Sequence, residues 1–291
     1  MHCGTDDCSS GREEHRGEVL LIYETVLARL IADQKLKLDD EILVICGGKF
    51  DREVLLAAGL KNVTITNLDI ANSDYIAPYK WDRQDAENLT YTDDSFDVVI
   101  VHAGLHHCYS PHRGLIEMMR VARRAALVFE ARDSFLLNIA KHLGYTMDYE
   151  IESVSGSLEM KSGGAANSGI PNFIYRWTEN EVLKTVRTAE PKYEPSVTFF
   201  YNLMLPHERF EKTSRPILRY SLLAMTPVLE AIGKIFPKQS NEFGFLIEKS
   251  KRLHPWLEQC QEQVVLSRAY VKRTGRVYQA ASPDAPRWGA Q

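Results

Sequence analysis

The stretch EILVICGGKFD, residues 41–51, sets the reading of the whole chain. Glu41–Cys46 is a short, nearly all-apolar run without alternation, as expected of a strand buried on both faces. Gly47-Gly48 breaks it, and Asp51–Ala58 reads as a helix. A strand covered on both faces needs helices on both sides, so its neighbours should alternate strand and helix. Asn62–Asn67 (NVTITN) is a β-branched run followed at once by Asp69, and a polar segment then leads to Gln84-Asp85-Ala86. Phe96–Val101 (FDVVIV) is another apolar run, Pro111–Arg124 a helix, Ala126–Glu130 (ALVFE) a strand and Asp133–Leu143 a further helix. This pitch implies an α/β fold with a doubly wound, mainly parallel sheet.

Upstream, apolar residues from Glu18 to Leu30 recur at helical spacing, with Tyr23 on the stripe. Residues 1–14 are polar and read as a flexible N-terminus; His2, Cys3, Cys8 and His15 have no zinc spacing, and no metal is expected. Downstream, 145–190 is an insertion with Gly163-Gly164 and the period-two set Phe173, Tyr175, Trp177, which would either wall an acceptor site or pack one strand face onto the core. Thr178 with Glu181 forms a capping-box signature for a helix over 179–188. Ser196–Leu203 and Glu242–Glu248 read as strands, separated by a helical segment over 209–236 that Pro216 and Pro227 interrupt. The domain is thus expected over 15–250, with 251–291 a C-terminal extension, partly disordered after Tyr278.

A chain of 291 residues that is 44% hydrophobic and 25% charged has enough apolar material for a real core. Its net charge of -4 offers no basic field, so no nucleic-acid partner is expected. Five scattered cysteines are no disulfide framework. No signal peptide is read at the start, and no apolar run reaches the roughly 18 residues of a spanning helix. A cytoplasmic protein without stable membrane insertion is the expectation.

In open parallel sheets ligands bind beyond the carboxyl ends of the strands, so the residues just after each strand carry the functional signal. Gly47 and Gly48 either let a ligand approach the backbone or merely make a tight connection. Asp69 either accepts ribose hydroxyls or caps a helix. Asp85 with Ala86 either meets an adenine edge or is a solvated loop acid. His102-Ala103-Gly104-Leu105-His106-His107 brings imidazoles beside the cleft, where His106 or His107 is a candidate catalytic base or a loop-orienting group.

Residues 41–130 together resemble the core of class I S-adenosylmethionine (SAM)-dependent methyltransferases, especially those acting on small molecules. The resemblance is carried by Asp85-Ala86-Glu87-Asn88-Leu89, Asp94-Ser95-Phe96-Asp97-Val98-Val99, Gly104-Leu105-His106-His107, Pro111 and Arg120-Val121, in order. It implies a Rossmann-like sheet of seven strands, one of the last running antiparallel, with insertions forming a cap. It also implies SAM as cofactor: Gly47 and Gly48 at its methionine part, Asp69 with Ile70 at the ribose, Asp85 and Ala86 at the adenine, and His102 and Ala103 lining it. Lys49-Phe50-Asp51 departs from that pattern, because Phe50 replaces an expected glycine and puts the loop geometry in question.

The acceptor pocket should come from outside the core, with Tyr23, Tyr175, Arg176 and His207 as candidate substrate-binding residues and Arg176 available to an anionic group. A small-molecule acceptor, a secondary metabolite or a glycan precursor, is the expected substrate. A lipid or quinone-like acceptor is the alternative, suggested by the apolar helix 217–236, which also suits a core or homodimer contact. Two rivals remain at this point. A nicotinamide oxidoreductase would need the spaced glycines this chain lacks, and a catalytically silent partner-binding relative would be favoured by the Phe50 departure.

Overall fold

The computed structural model describes residues 22–205 and 216–274. Its centre is β1 (Glu41–Ile45), which pairs in parallel with β2 (Asn62–Asn67) on one side and β4 (Phe96–His102) on the other. The seven-stranded sheet runs β3-β2-β1-β4-β5-β7-β6, with β3 at Lys80–Arg83, β5 at Ala122–Ala131, β6 at Ser196–Asn202 and β7 at Glu242–Glu248. β7 alone runs against its neighbours, pairing antiparallel with both β5 and β6.

The unbroken apolar runs now have a cause. Ile42 and Val44 of β1, with Val98 and Ile100 of β4, face one core; Leu43, Ile45, Val99 and Val101 face the other. Period-two geometry therefore sends every residue into one of two buried layers, each side chain contributing roughly 1.5–3 kcal/mol. α1 (Ile22–Ala32) fills the first layer through Tyr23, Val26, Leu27 and Leu30, and α2 (Lys49–Ala57) through Val54 and Leu55. α3 (Pro111–Val121) and α6 (Glu179–Ala189) cover the second. The capping box of α6 is present: the Glu181 amide donates to Thr178 Oγ1 at 3.3 Å, and Glu181 accepts from the Thr178 amide at 2.8 Å.

Several elements depart from the sequence reading. α3 stops at Val121 rather than Arg124, because β5 begins at Ala122 and pairs at once with Phe96. Arg123 reaches Asp97 at 2.5 Å and Arg124 pairs with Asp40, anchoring that strand start. Phe173, Tyr175 and Trp177 do not form a regular strand: Phe173 and Trp177 make isolated bridges to Tyr149 and Arg132. Trp177 is fully buried and Tyr175 packs against the second core, whereas Phe173 is exposed. Two short helices precede them, α4 (Phe135–His142) and α5 (Ile151–Ser155). α7 is described over Pro216–Ile235 and runs through Pro227 without a break. Beyond the sheet, β8 (Leu257–Cys260), β9 (Gln263–Leu266) and α8 (Arg268–Thr274) form a hairpin and helix that composition did not announce. Residues 1–14 and the tail after Tyr278 lie outside the described residues.

Candidate active site

β1 sits where the strand order turns, with β2 to one side and β4 to the other, and the crevice above such a point is where open α/β sheets take ligands. There the chain leaves β1 through Cys46, whose φ is +53°, and enters α2 through Gly47 and Gly48. Gly47 is locked by its amide on the Thr66 carbonyl and its own carbonyl on Asn67 Nδ2, both at 2.9 Å. A Cβ there would fall 2.8 Å from the side chains of Val44 and Ile65, so only glycine fits. The Gly48 amide donates to the Asp51 carboxylate at 2.9 Å, which closes the N-terminus of α2. Beyond β2, Asn67 accepts the Asp69 amide at 3.1 Å; beyond β3, Asp85 accepts the Glu87 amide at 2.9 Å.

These strand ends enclose a cavity of about 340 Å³, within the range of small-ligand sites. Its floor and donor-side wall include Cys46, Asn67, Asp69, Asp85, Ala86 and Ala103. His107, Cys108 and Tyr109 continue the wall, and Ser153, Gly163, Gly164, Ala166 and Asn167 roof it from the insertion. The glycine pair makes that roof turn: Gly163 has φ +90°, and a Cβ on Gly164 would overlap the Ile170 carbonyl.

Of the residues singled out by sequence, Asp69, Asp85, Ala86, Ala103 and His107 meet on this cavity. Gly47 and Gly48 stand behind its wall, and the short 3-10 helix Ile70–Tyr75 begins directly after Asp69. His102 turns away. Its ring stacks on Tyr23 at 4.9 Å and meets Phe50 at 5.1 Å, while Tyr23 also packs against Phe129 at 4.8 Å. Tyr23, expected at the acceptor, is instead fully buried in this aromatic cluster, because helix α1 presses it onto the sheet. Phe50 also belongs to the cluster and is not part of the cavity lining, so the bulky residue leaves the ligand space open. Beneath it Asp51 is buried, and that burial pushes its carboxyl up to about 6.

Tyr175 and Arg176 are also spoken for. The Tyr175 hydroxyl donates to Glu181 at 2.8 Å, and the Arg176 guanidinium pairs with Asp148 at 2.8 Å and donates to the Met147 carbonyl at 2.6 Å. These contacts hold the insertion to itself and to α6 rather than presenting a charge to a ligand. His207 lies outside the described residues.

The two candidate histidines have different surroundings. His106 Nδ1 lies 2.6 Å from Glu130, a fully buried carboxylate that also accepts the Leu105 amide at 2.7 Å. Its Nε2 is 3.3 Å from Glu150, and His107 Nε2 is 3.4 Å from the same oxygen. Asn172 donates to Glu150 at 3.3 Å and to the His106 carbonyl at 3.2 Å. Burial opposes charge on His106, but the two carboxylates outweigh it and raise its pKa to about 10. Burial, and then the neighbouring His106 charge, lower His107 below the usual histidine value. His106 thus stands behind the wall between two carboxylates, and His107 is the imidazole on the wall itself.

Glu130 ends the apolar run ALVFE, so the post-strand rule that points to Asp69 points to it as well. Glu150 gave no such signal, because it comes from an irregular segment with no period.

Residues 45–129 match the family model of a methyltransferase domain. Solved structures similar in fold include a chain of the complex between the Haloferax volcanii Trm112 methyltransferase activator and a putative methyltransferase (13% identity, 80% of this chain and 90% of that chain, TM-score 0.50). A putative methyltransferase from Bacillus halodurans C-125 has 16% identity over 78% of this chain and 99% of that chain, with a TM-score of 0.47. The magnesium protoporphyrin IX methyltransferase of Synechocystis PCC 6803, with bound SAH, has 12% identity over 78% and 82%, with a TM-score of 0.45. No curated protein matches the chain in sequence.

Proposed function

We propose that the chain, whose residues 45–129 match a methyltransferase-domain model, is a SAM-dependent methyltransferase that methylates a small hydroxylated acceptor held between the strand ends and the 145–190 insertion. The observation that carries this reading is the single cavity that joins the acids after β2 and β3 to the roof at Ser153–Asn167.

The donor side suits SAM. Asp69 is positioned after β2 for ribose hydroxyls and Asp85 with Ala86 after β3 for an adenine edge, while Cys46 and Ala103 meet above β1 and β4. When bound, the sulfonium would supply the methyl group: the acceptor's lone pair forms the new bond as the carbon–sulfur bond breaks onto sulfur, and the acceptor's proton passes to a neutral base at the wall, for which His107 is placed. The chain's own part is to align the two groups and keep water out, and alignment alone lowers such barriers by roughly 7–11 kcal/mol. The insertion supplies the exclusion, and His107 is the polar group on the wall nearest the roof that an acceptor would meet.

The acceptor class follows from the lining. Tyr109, Ser153, Asn167 and His107 offer neutral hydrogen-bonding groups, and no lysine or arginine lines the cavity among the described residues. That favours a hydroxylated metabolite or glycan precursor over an acceptor carrying a phosphate, and over a long apolar one. Among the described residues no helix is long and apolar enough to cross a membrane.

The test is SAH release from SAM against two acceptor panels, one of hydroxylated sugars and phenols and one of quinones and lipids. Turnover confined to the first panel supports the reading; turnover confined to the second overturns it.

A further inference from the structure

We propose that His106, His107 and Glu150 form a binding site for a divalent transition-metal ion of zinc-like preference at the roof end of the cavity. Their ligand atoms lie within 4.8 Å of one another, and a single Glu150 oxygen is 3.3 Å from His106 Nε2 and 3.4 Å from His107 Nε2. A tetrahedral ion with bonds of about 2.0–2.1 Å sets its donors about 3.3–3.4 Å apart, so those two edges already have the right length. A simple ion pair would ask less. Glu130 takes only His106 Nδ1, and the second carboxylate is delivered by a distant, irregular segment to a point shared by Nε2 of both rings.

The outer shell is built as well. Imidazoles that bind metals commonly give their other nitrogen to a carboxylate or a carbonyl, which fixes the tautomer and the ring plane. His106 Nδ1 meets Glu130 at 2.6 Å, and Glu130 is held in turn by the Leu105 amide at 2.7 Å. The His107 ring meets the backbone of Gly164. Asn172, itself buried, donates to Glu150 at 3.3 Å and leaves its Oδ1 buried without a partner. Two carboxylates around two imidazoles leave a net negative charge, and an ion would bind there by displacing the proton on His106 Nε2.

Two nitrogens and one oxygen leave a tetrahedral ion one open position, as in catalytic rather than structural zinc sites. His107 lines the cavity, so an ion bound to it would border the ligand space. An ion there would bind an acceptor oxygen and make it easier to deprotonate, which assigns the acceptor to oxygen nucleophiles. That last step rests on the methyltransferase reading; the metal site does not.

The experiment uses the full chain, freed of metal with a chelator and titrated with Co²⁺ while the visible d–d absorption is followed. SAM calorimetry is run on the same sample. The expected result is saturable absorption of a low-coordinate ion without a thiolate charge-transfer band, displaced by Zn²⁺. Glu150→Gln and His107→Ala should each weaken Co²⁺ at least about tenfold at unchanged circular dichroism, and Glu130→Gln should weaken it about 10–100-fold as an orienting partner. The proposal is overturned if folded protein retains only the spectrum of the hydrated ion. It is equally overturned if Co²⁺ binding survives both ligand substitutions, or if it shows thiolate bands pointing to Cys3 and Cys8. Loss of SAM binding with the Co²⁺ site intact would count against the methyltransferase reading alone.

Discussion

The donor wall and the roof of the cavity are built by different means. The donor wall is backbone: Cys46, Asp69, Asp85 and Ala103 stand where they do because four parallel strands end in register beneath them. The roof is held by side chains, with Glu150 on the two histidines, Asn172 on Glu150, Arg176 on Asp148 and the Ser153 hydroxyl on the Gly163 carbonyl at 2.7 Å. Left-handed backbone at Glu159, Met160, Gly163, Ala166 and Asn167 accompanies it. A register-built wall suits an invariant ligand portion, whereas a side-chain-built roof can change with the acceptor while the sheet stays the same.

The sharpest way to break this contrast is at Glu130, where the roof's side-chain network is rooted in the sheet. Glu130→Ala leaves the buried His106 Nδ1 and the Leu105 amide without their buried carboxylate partner and should cost about 3–5 kcal/mol, as a fall in denaturant midpoint. Next comes Asp51, under the donor loop. Its carboxyl is raised from 3.8 to about 6, so the folded state binds the proton more tightly than the unfolded one. The stability it lends is present below about pH 4 and lost as pH rises through 6, roughly 3 kcal/mol in all. Asp51→Asn should remove that slope, so the difference between wild type and variant measured from pH 4 to 8 isolates it. Third is Gly104→Ala: its Cβ would lie 2.5 Å from the Cys46 Cβ, and the overpacking should cost about 1–3 kcal/mol and weaken SAM binding as well. The smallest effect belongs to Arg176→Ala. Asp148 is partly exposed and keeps Lys141 at 2.6 Å, so stability should fall by only about 1 kcal/mol or less, with acceptor KM unchanged. A large rise in KM there would show that Arg176 binds the acceptor after all.

The same contrast explains what could be read in advance. β1, β4 and β5 announce themselves because strands buried on both faces are continuous apolar runs. β3, with the sequence KWDR on the sheet edge, carries no such signal and reads as part of a polar segment. The β8–β9 hairpin was missed because it turns through Gln261 at φ +53° and Glu262, without the Gly, Asn or Asp that marks a tight turn. At the site, the post-strand rule reached Asp69, Asp85, Ala86, Ala103 and His107. It could not reach Glu150, since an irregular segment has no period to say which way a side chain points. Tyr23 and Arg176 have partners that the sequence does not announce for a related reason: a stripe or an alternation shows that a residue has a face, not which partner already occupies it.

The most direct test of the central claim is calorimetry of the purified chain with SAM, wild type beside Asp69→Ala. Saturable binding weakened at least about tenfold in the variant, or about 1.4 kcal/mol, is the predicted result, because Asp69 belongs to the donor wall. A folded protein that takes up no SAM, or that binds it equally well without the Asp69 carboxylate, would contradict the account of this cavity.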